Sequence, residues 1–144
     1  MNWIYEGKEV KTADDLPDGS IGFIYLITNV TLNKIYYGRK TFRALSKKKL
    51  TKKEKLLPEN KRKTYKYVWK EYKGWQEYNG SCAPLLEHIE KGHKIKKEII
   101  RVCYSKSELT YYETKEILCS DCLERSDCYN GHVLGKIFPP KPKE

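Results

Sequence analysis

No apolar run in this chain approaches the roughly 20 residues that a membrane-crossing helix needs. The opening Met-Asn-Trp-Ile-Tyr-Glu lacks the basic-then-apolar make-up of a secretory leader. Both absences lead to the expectation of a cytoplasmic protein with no membrane partner. Cysteine is present in an odd number, five, which argues against a disulfide framework and for a reducing compartment. No internal repeat is visible. Acidic side chains are sparse beside basic ones, 19 against 29, so the formal net charge is +10. Solubility alone explains a net charge of roughly 2–8 on a small domain. The excess points to an anionic partner, and nucleic acid is the first candidate. The length of 144 residues suits one domain with a modest core.

Local patterns divide the chain into three parts: an N-terminal arm over residues 1–21, a domain over 22–132 with a basic insertion at 39–75, and a flexible Pro/Lys-rich tail over 133–144. Residues 23–28 are rich in β-formers and predict a strand, 29–33 a turn, and 34–38 the return strand. A turn centred between Thr31 and Leu32 sets Tyr25 opposite Gly38 and Ile27 opposite Tyr36. Tyr25, Ile27 and Tyr36 then share one face, and Gly38 leaves open space beside Tyr25. Pro84 suits the first turn of a helix that Gly92 ends. Residues 95–103 predict a third strand, and the pair Ser105 and Glu108 forms a capping box that starts a second helix, carrying Glu113. Hairpin, helix, strand, helix predicts a small α/β domain of α+β type, a three-stranded antiparallel sheet flanked by helices.

Three features carry chemistry. Phe23-Ile24-Tyr25 and Tyr36-Tyr37-Gly38 set two tyrosines eleven residues apart, and a basic run follows them directly. Glu113 stands among apolar helix positions, where a carboxylate is costly unless it is paired or meets a cation. Trp75 is followed by Tyr78-Asn79-Gly80-Ser81. Together these residues resemble the GIY-YIG nucleases, and within them the small phage-type, Seg-like homing endonucleases. Phe23 stands where the first half-motif has its name-giving glycine.

The resemblance implies a metal-dependent DNA endonuclease. It assigns Tyr25 to activating the attacking water, with Tyr36 in support, and Glu113 to binding one divalent ion, magnesium or alternatively manganese. It matches Asn130 to a late asparagine that helps hold hairpin and site together; by itself Asn130-Gly131 is an ordinary turn signal. The family's arginine lies on the first helix, at the position Ser46 holds here. Arg43 and Lys47 flank Ser46 four residues apart and would share a helical face. Arg43 is the preferred substitute, because a guanidinium can hold two phosphate oxygens. Arg39 and Lys40 are the other contenders. The backbone of double-stranded DNA would be followed by Arg39, Lys40, Lys47, Lys48, Lys49, Arg62 and Lys63, with Trp75 among the interleaved aromatics. A single site cuts one strand at a time, so duplex cleavage would need a dimer or two successive events.

Two alternatives differ in class. Ser46 at the arginine position fits a catalytically weakened nucleic-acid-binding protein on the same fold. Cys119, Cys122, Cys128 and His132 have a spacing that could hold zinc. Free thiols packed as small apolar groups are the preferred reading there, and structural zinc is not expected. His88 and His93 lack partners at ligand spacing and are expected at the surface.

Overall fold

A computed structural model describes residues 2–139. In chain order the strands are β1 (Ile4–Tyr5), β2 (Lys8–Glu9), β3 (Gly22–Asn29), β4 (Lys34–Thr41), β5 (Arg43–Lys49), β6 (Tyr65–Glu71) and β7 (Ile95–Cys103). The helices are α1 (Lys52–Lys55), α2 (Ala83–Glu90) and α3 (Lys106–Cys119). The hairpin has the register that its length dictates, Tyr25 opposite Gly38 and Ile27 opposite Tyr36. Asn29 closes the turn by accepting from the Leu32 N–H at 3.1 Å. Asn33 takes a left-handed φ of 53°, a conformation asparagine tolerates. Ser105 caps α3, its hydroxyl accepting from the Glu108 N–H at 3.1 Å, but the expected box is not closed, because the Glu108 carboxylate accepts from the Tyr104 N–H at 2.8 Å instead.

The sheet is five-stranded, not three-stranded, in the order β2-β1-β7-β3-β4. Its centre is the expected antiparallel trio, and the addition is the N-terminal segment. β1 pairs in parallel with β7, so the sheet is mixed. The reason lies in Trp3, which is fully buried. Its ring packs on Phe23 and Tyr25, and its indole N–H donates to the Trp75 carbonyl at 2.8 Å. Burying so large a ring recruits the backbone that carries it, and short strand pairing satisfies that backbone.

One core lies on the Tyr25 face and holds Trp3, Phe23, Phe42, Trp75 and Leu85. Phe23 fills the space between Trp3, Trp75 and Phe42, so the aromatic in place of glycine is a core residue. A smaller cluster on the opposite face packs α3 through Leu109 against Ile24 and Cys103. A third gathers Ile117, Cys122, Cys128 and Val133. Cys122 and Cys128 form a disulfide with Cα atoms 5.5 Å apart, which corrects the expectation of free thiols throughout; the intervening loop brings them within bonding reach. Cys82, Cys103 and Cys119 are free. Val133 belongs to this core, although it falls in the segment expected to be a flexible tail; residues 140–144 of that tail lie outside the described residues.

The main core also contains a charge. Lys97 is fully buried, donates to the Gln76 carbonyl at 3.0 Å, and stands 4.2 Å from the centre of the Trp3 ring. Burial lowers its pKa from 10.5 to about 8, partly opposed by Glu77. The unfolded chain therefore binds more protons between pH 8 and 10.5, and stability from this group rises with pH across that window. Denaturant unfolding at pH 7 and pH 10 should show the wild type gaining on the order of 2–3 kcal/mol relative to Lys97→Met. Parallel pH dependence in the two proteins would remove Lys97 as the source.

Candidate active site

β4 is the edge strand of the sheet, and the candidate residues collect along it. Strand alternation sends Tyr36, Gly38 and Lys40 to the Tyr25 face, and Tyr37 and Arg39 to the face that α3 covers. A Cβ built on Gly38 would lie 2.2 Å from the Tyr25 hydroxyl. The space opposite Tyr25 is therefore filled by its own phenol and is not left open, which corrects the expectation from pairing alone.

Tyr25 is almost wholly buried, with its ring about 6.1 Å from those of Tyr36 and Tyr78. Gly80, at φ 88°, closes over both catalytic candidates: a Cβ there would sit 3.1 Å from the Tyr36 ring and 3.4 Å from the Tyr25 hydroxyl. The Tyr78-Asn79-Gly80-Ser81 segment is thus a lid of close backbone approach, which only glycine permits. Burial pushes the Tyr25 phenol far above its ordinary pKa, and the neighbouring Tyr36, Tyr78 and Glu113 add to the shift. Burial also raises Tyr36, against a lowering hydrogen bond to Ser81. Both phenols are therefore neutral at neutral pH in the free protein. Lys40 stands 4.1 Å from the centre of the Tyr78 ring and supplies the cation on this face.

On the other face, Glu113 projects from α3 with its side chain only 15% exposed. Burial raises its pKa, while Arg39 and then His132 pull it down. Arg39 Nε stands 4.0 Å from the carboxylate, and its Nη1 donates to Thr110 Oγ1 at 2.6 Å. Asn130 holds the edge in register: its amide accepts from the Tyr37 N–H at 2.9 Å and donates to the Tyr37 carbonyl at 2.8 Å. It does for β4 what a further strand would do. Next to it, Tyr36, Ser81, Asn130 and His132 line one groove.

Several expectations need correction. Arg43 is not helical and does not reach the tyrosines. It begins β5, paired in an antiparallel ribbon with β6, and Ser46 sits in the same strand opposite Val68. The Arg43 guanidinium donates to the backbone carbonyls of Ser20 at 2.6 Å and Pro17 at 3.0 Å, so it anchors the N-terminal segment. Arg39 is the arginine beside Glu113. Trp75 is fully buried and offers no ring to a partner. Lys47, Lys48 and Lys49 are exposed on β5; Arg62 and Lys63 are exposed in the β5–β6 connection, with Arg62 at φ 73°. His88 and His93 stack at 4.9 Å, and His88 meets the Tyr129 hydroxyl at 2.7 Å. The four possible zinc ligands do not converge: Cys122 and Cys128 bond each other, and Cys119 is exposed. Sequence reasoning weighed His132 only as a possible zinc ligand and missed it as a neighbour of Glu113.

Two tyrosines on the adjacent strands β3 and β4, with the Glu113 carboxylate and Arg39 beside the edge strand, are the groups this region brings together. A model of the family described as "Putative endonuclease segE, GIY-YIG domain" matches residues 3–133. The chain belongs to this SegE-type branch of the GIY-YIG endonuclease family. No curated protein sequence and no solved structure gives a significant match. Among the described residues no helix is long and apolar enough to cross a membrane.

Proposed function

We propose that this protein is a divalent-metal-dependent endonuclease that hydrolyses phosphodiester bonds of double-stranded DNA, in the setting of a phage homing-type or host-directed nuclease. The observation that supports this most is the proximity of Glu113, with Arg39 beside it, to the two phenols Tyr25 and Tyr36 at the β4 edge of the sheet. The family match supports the nucleic-acid substrate. The double-stranded substrate and the phage setting follow from the Seg-like resemblance.

Tyr25 and Tyr36 orient the attacking water, and the phenolate form of the pair takes up its proton as the water oxygen bonds to phosphorus; burial keeps that form scarce at neutral pH. The bond to the 3′ oxygen breaks in line, leaving a 5′-phosphate and a 3′-hydroxyl. Arg39, in the role expected of Arg43, and Lys40 hold the non-bridging oxygens as their charge grows. Glu113 fits a divalent ion. It is one largely buried carboxylate, raised in pKa by its surroundings, with its nearest described cation only at 4.0 Å. No cluster of three or more His, Cys, Asp or Glu side chains exists among the described residues, so water and phosphate would complete the shell, as magnesium prefers and manganese accepts. Such an ion, when bound, polarises the scissile phosphate.

The test is nicking of supercoiled plasmid by purified protein with magnesium against EDTA. Magnesium-dependent nicking is expected. Protein that binds plasmid yet cuts it with neither magnesium nor manganese would leave the binding-only reading, which the deep burial of Tyr25 favours.

A further inference from the structure

The β5–β6 ribbon stands apart from the main sheet, and its two faces differ in kind. Cross-strand partners share a face. The pairs Leu45–Trp69, Lys47–Tyr67 and Lys49–Tyr65 therefore make one surface, and Ala44–Lys70, Ser46–Val68 and Lys48–Lys66 the other. Arg43 and Lys66, at opposite ends of the ribbon, are engaged internally, by the Ser20 carbonyl and Glu54. The aromatic face then keeps Lys47 and Lys49 but also carries Glu71, opposite Arg43 at its base, and the other face keeps Lys48 and Lys70. Positive charge does not single out the aromatic face, but apolar area does. Leu45 is 53% exposed, Tyr65 46%, Tyr67 67% and Trp69 48%. Three rings and a leucine stand about half exposed or more, with Lys47 Nζ 4.3 Å from the Tyr65 ring centre and the Arg43 guanidinium 5.0 Å from that of Trp69, at two-residue steps of roughly 7 Å along the strand.

We propose that this aromatic face is a DNA-reading element that lies in the major groove of the duplex, with Lys47 and Lys49 on base edges or flanking phosphates and the rings and Leu45 against base edges and thymine methyls. The inference rests on the nuclease reading for its substrate. Two observations select the occupant. The first is charge: lysines alternate with the exposed apolar groups, which complements a polyanion and not a lipid core or a neutral protein face. The second is continuity with the site. Thr41 and Tyr72, at the base of the ribbon, line the same open groove as Arg39, Lys40, Tyr78 and Lys106. A backbone crossing that groove brings the next groove of the duplex to the ribbon. Width favours the major groove, which at about 12 Å admits a two-stranded ribbon without deformation, whereas the minor groove, about 6 Å wide, would have to be widened. This gives the chain a source of sequence preference outside the catalytic groove.

Equilibrium binding to a fluorescent DNA duplex in EDTA tests this without cleavage. Two charge-matched variants are compared, Lys47→Ala with Lys49→Ala and Lys48→Ala with Lys70→Ala. Tyr67→Ala, which changes no charge, is the third. All are surface changes, checked by circular dichroism. The aromatic-face pair is expected to weaken binding tenfold or more, the opposite pair by threefold or less, and Tyr67→Ala by at least fivefold. Methyl green, a major-groove ligand, should displace the wild type, and distamycin, a minor-groove ligand, should not. Equal losses for the two lysine pairs with no effect of Tyr67→Ala would reduce the ribbon to a diffuse positive charge and overturn the proposal, as would displacement by distamycin alone. Failure of the nuclease reading is seen separately, as absent nicking by wild type in magnesium.

Discussion

Tyr25→Phe should lower magnesium-supported nicking by about 10²–10⁴-fold while leaving the fold and duplex binding intact. The change removes one oxygen from a ring held by Trp3, Phe23, Tyr36 and Tyr78, so packing is kept and only the proton-handling atom is lost. On the proposed reading Glu113→Ala should give a loss of similar size, because it removes the carboxylate proposed to hold the divalent ion. The two defects should be non-additive, because both serve one step. The pH profile carries a second signature. Burial raises both phenols, so the wild-type rate should climb with pH without a plateau below the ordinary phenol range. Burial raises Glu113 in the metal-free protein, so at low pH protons should compete with the proposed ion and activity there should rise with added magnesium. Initial nicking rates of the three proteins between pH 5 and about 9, at low and high magnesium, check both. Unchanged nicking in Tyr25→Phe would move the proton-accepting role to Tyr36, which is half-buried and lines the groove with His132.

Gly38→Ala is the second large effect, and it acts by crowding. The new methyl would lie 2.2 Å from the Tyr25 hydroxyl and 2.3 Å from its ring carbon Cζ. No rotation of a flexible tip relieves this, since Trp3, Phe23 and Tyr78 hold the ring. Either the phenol swings out of the site or the β3–β4 pairing opens. Overpacking of this kind costs typically 1–3 kcal/mol. Nicking should fall at least a hundredfold, and the denaturation midpoint should drop with it. Tyr25→Phe combined with Gly38→Ala should recover little of the stability and none of the activity, because the ring carbon Cζ, which phenylalanine keeps, would still lie 2.3 Å from the methyl. A Gly38→Ala protein with wild-type stability would contradict the close approach of phenol and edge strand.

Where local rules sufficed, reading from sequence and structure agree. The hairpin register follows from turn length and strand period, the α3 cap from Ser105, and α2 from Pro84 and Gly92. Where the outcome depended on distant partners, it was not legible. Residues 43–49 are basic and carry no decisive period, so a helix and a strand were equally open to them. Pairing with Tyr65–Glu71, a segment of strong β-formers, settled on the strand and carried Arg43 away from the tyrosines. Trp75 has the composition of a stacking residue but is buried against Phe23 and Phe42.

The sequence by itself determined the family, the tyrosine pair and its spacing, the helix that bears Glu113, and the cationic excess. Each is written in contiguous residues and needs only strand or helix periodicity to be expressed. Tertiary structure alone decided that the N-terminal segment joins the sheet, that Arg39 and not Arg43 neighbours Glu113, and that the lysine-rich run is a ribbon with one aromatic face. Those outcomes depend on which buried rings and unpaired strands meet across tens of residues, as Trp3 meets Trp75 and β5 meets β6. Burial and pairing free energies of that kind reside in contacts distant in sequence, where no local pattern records them.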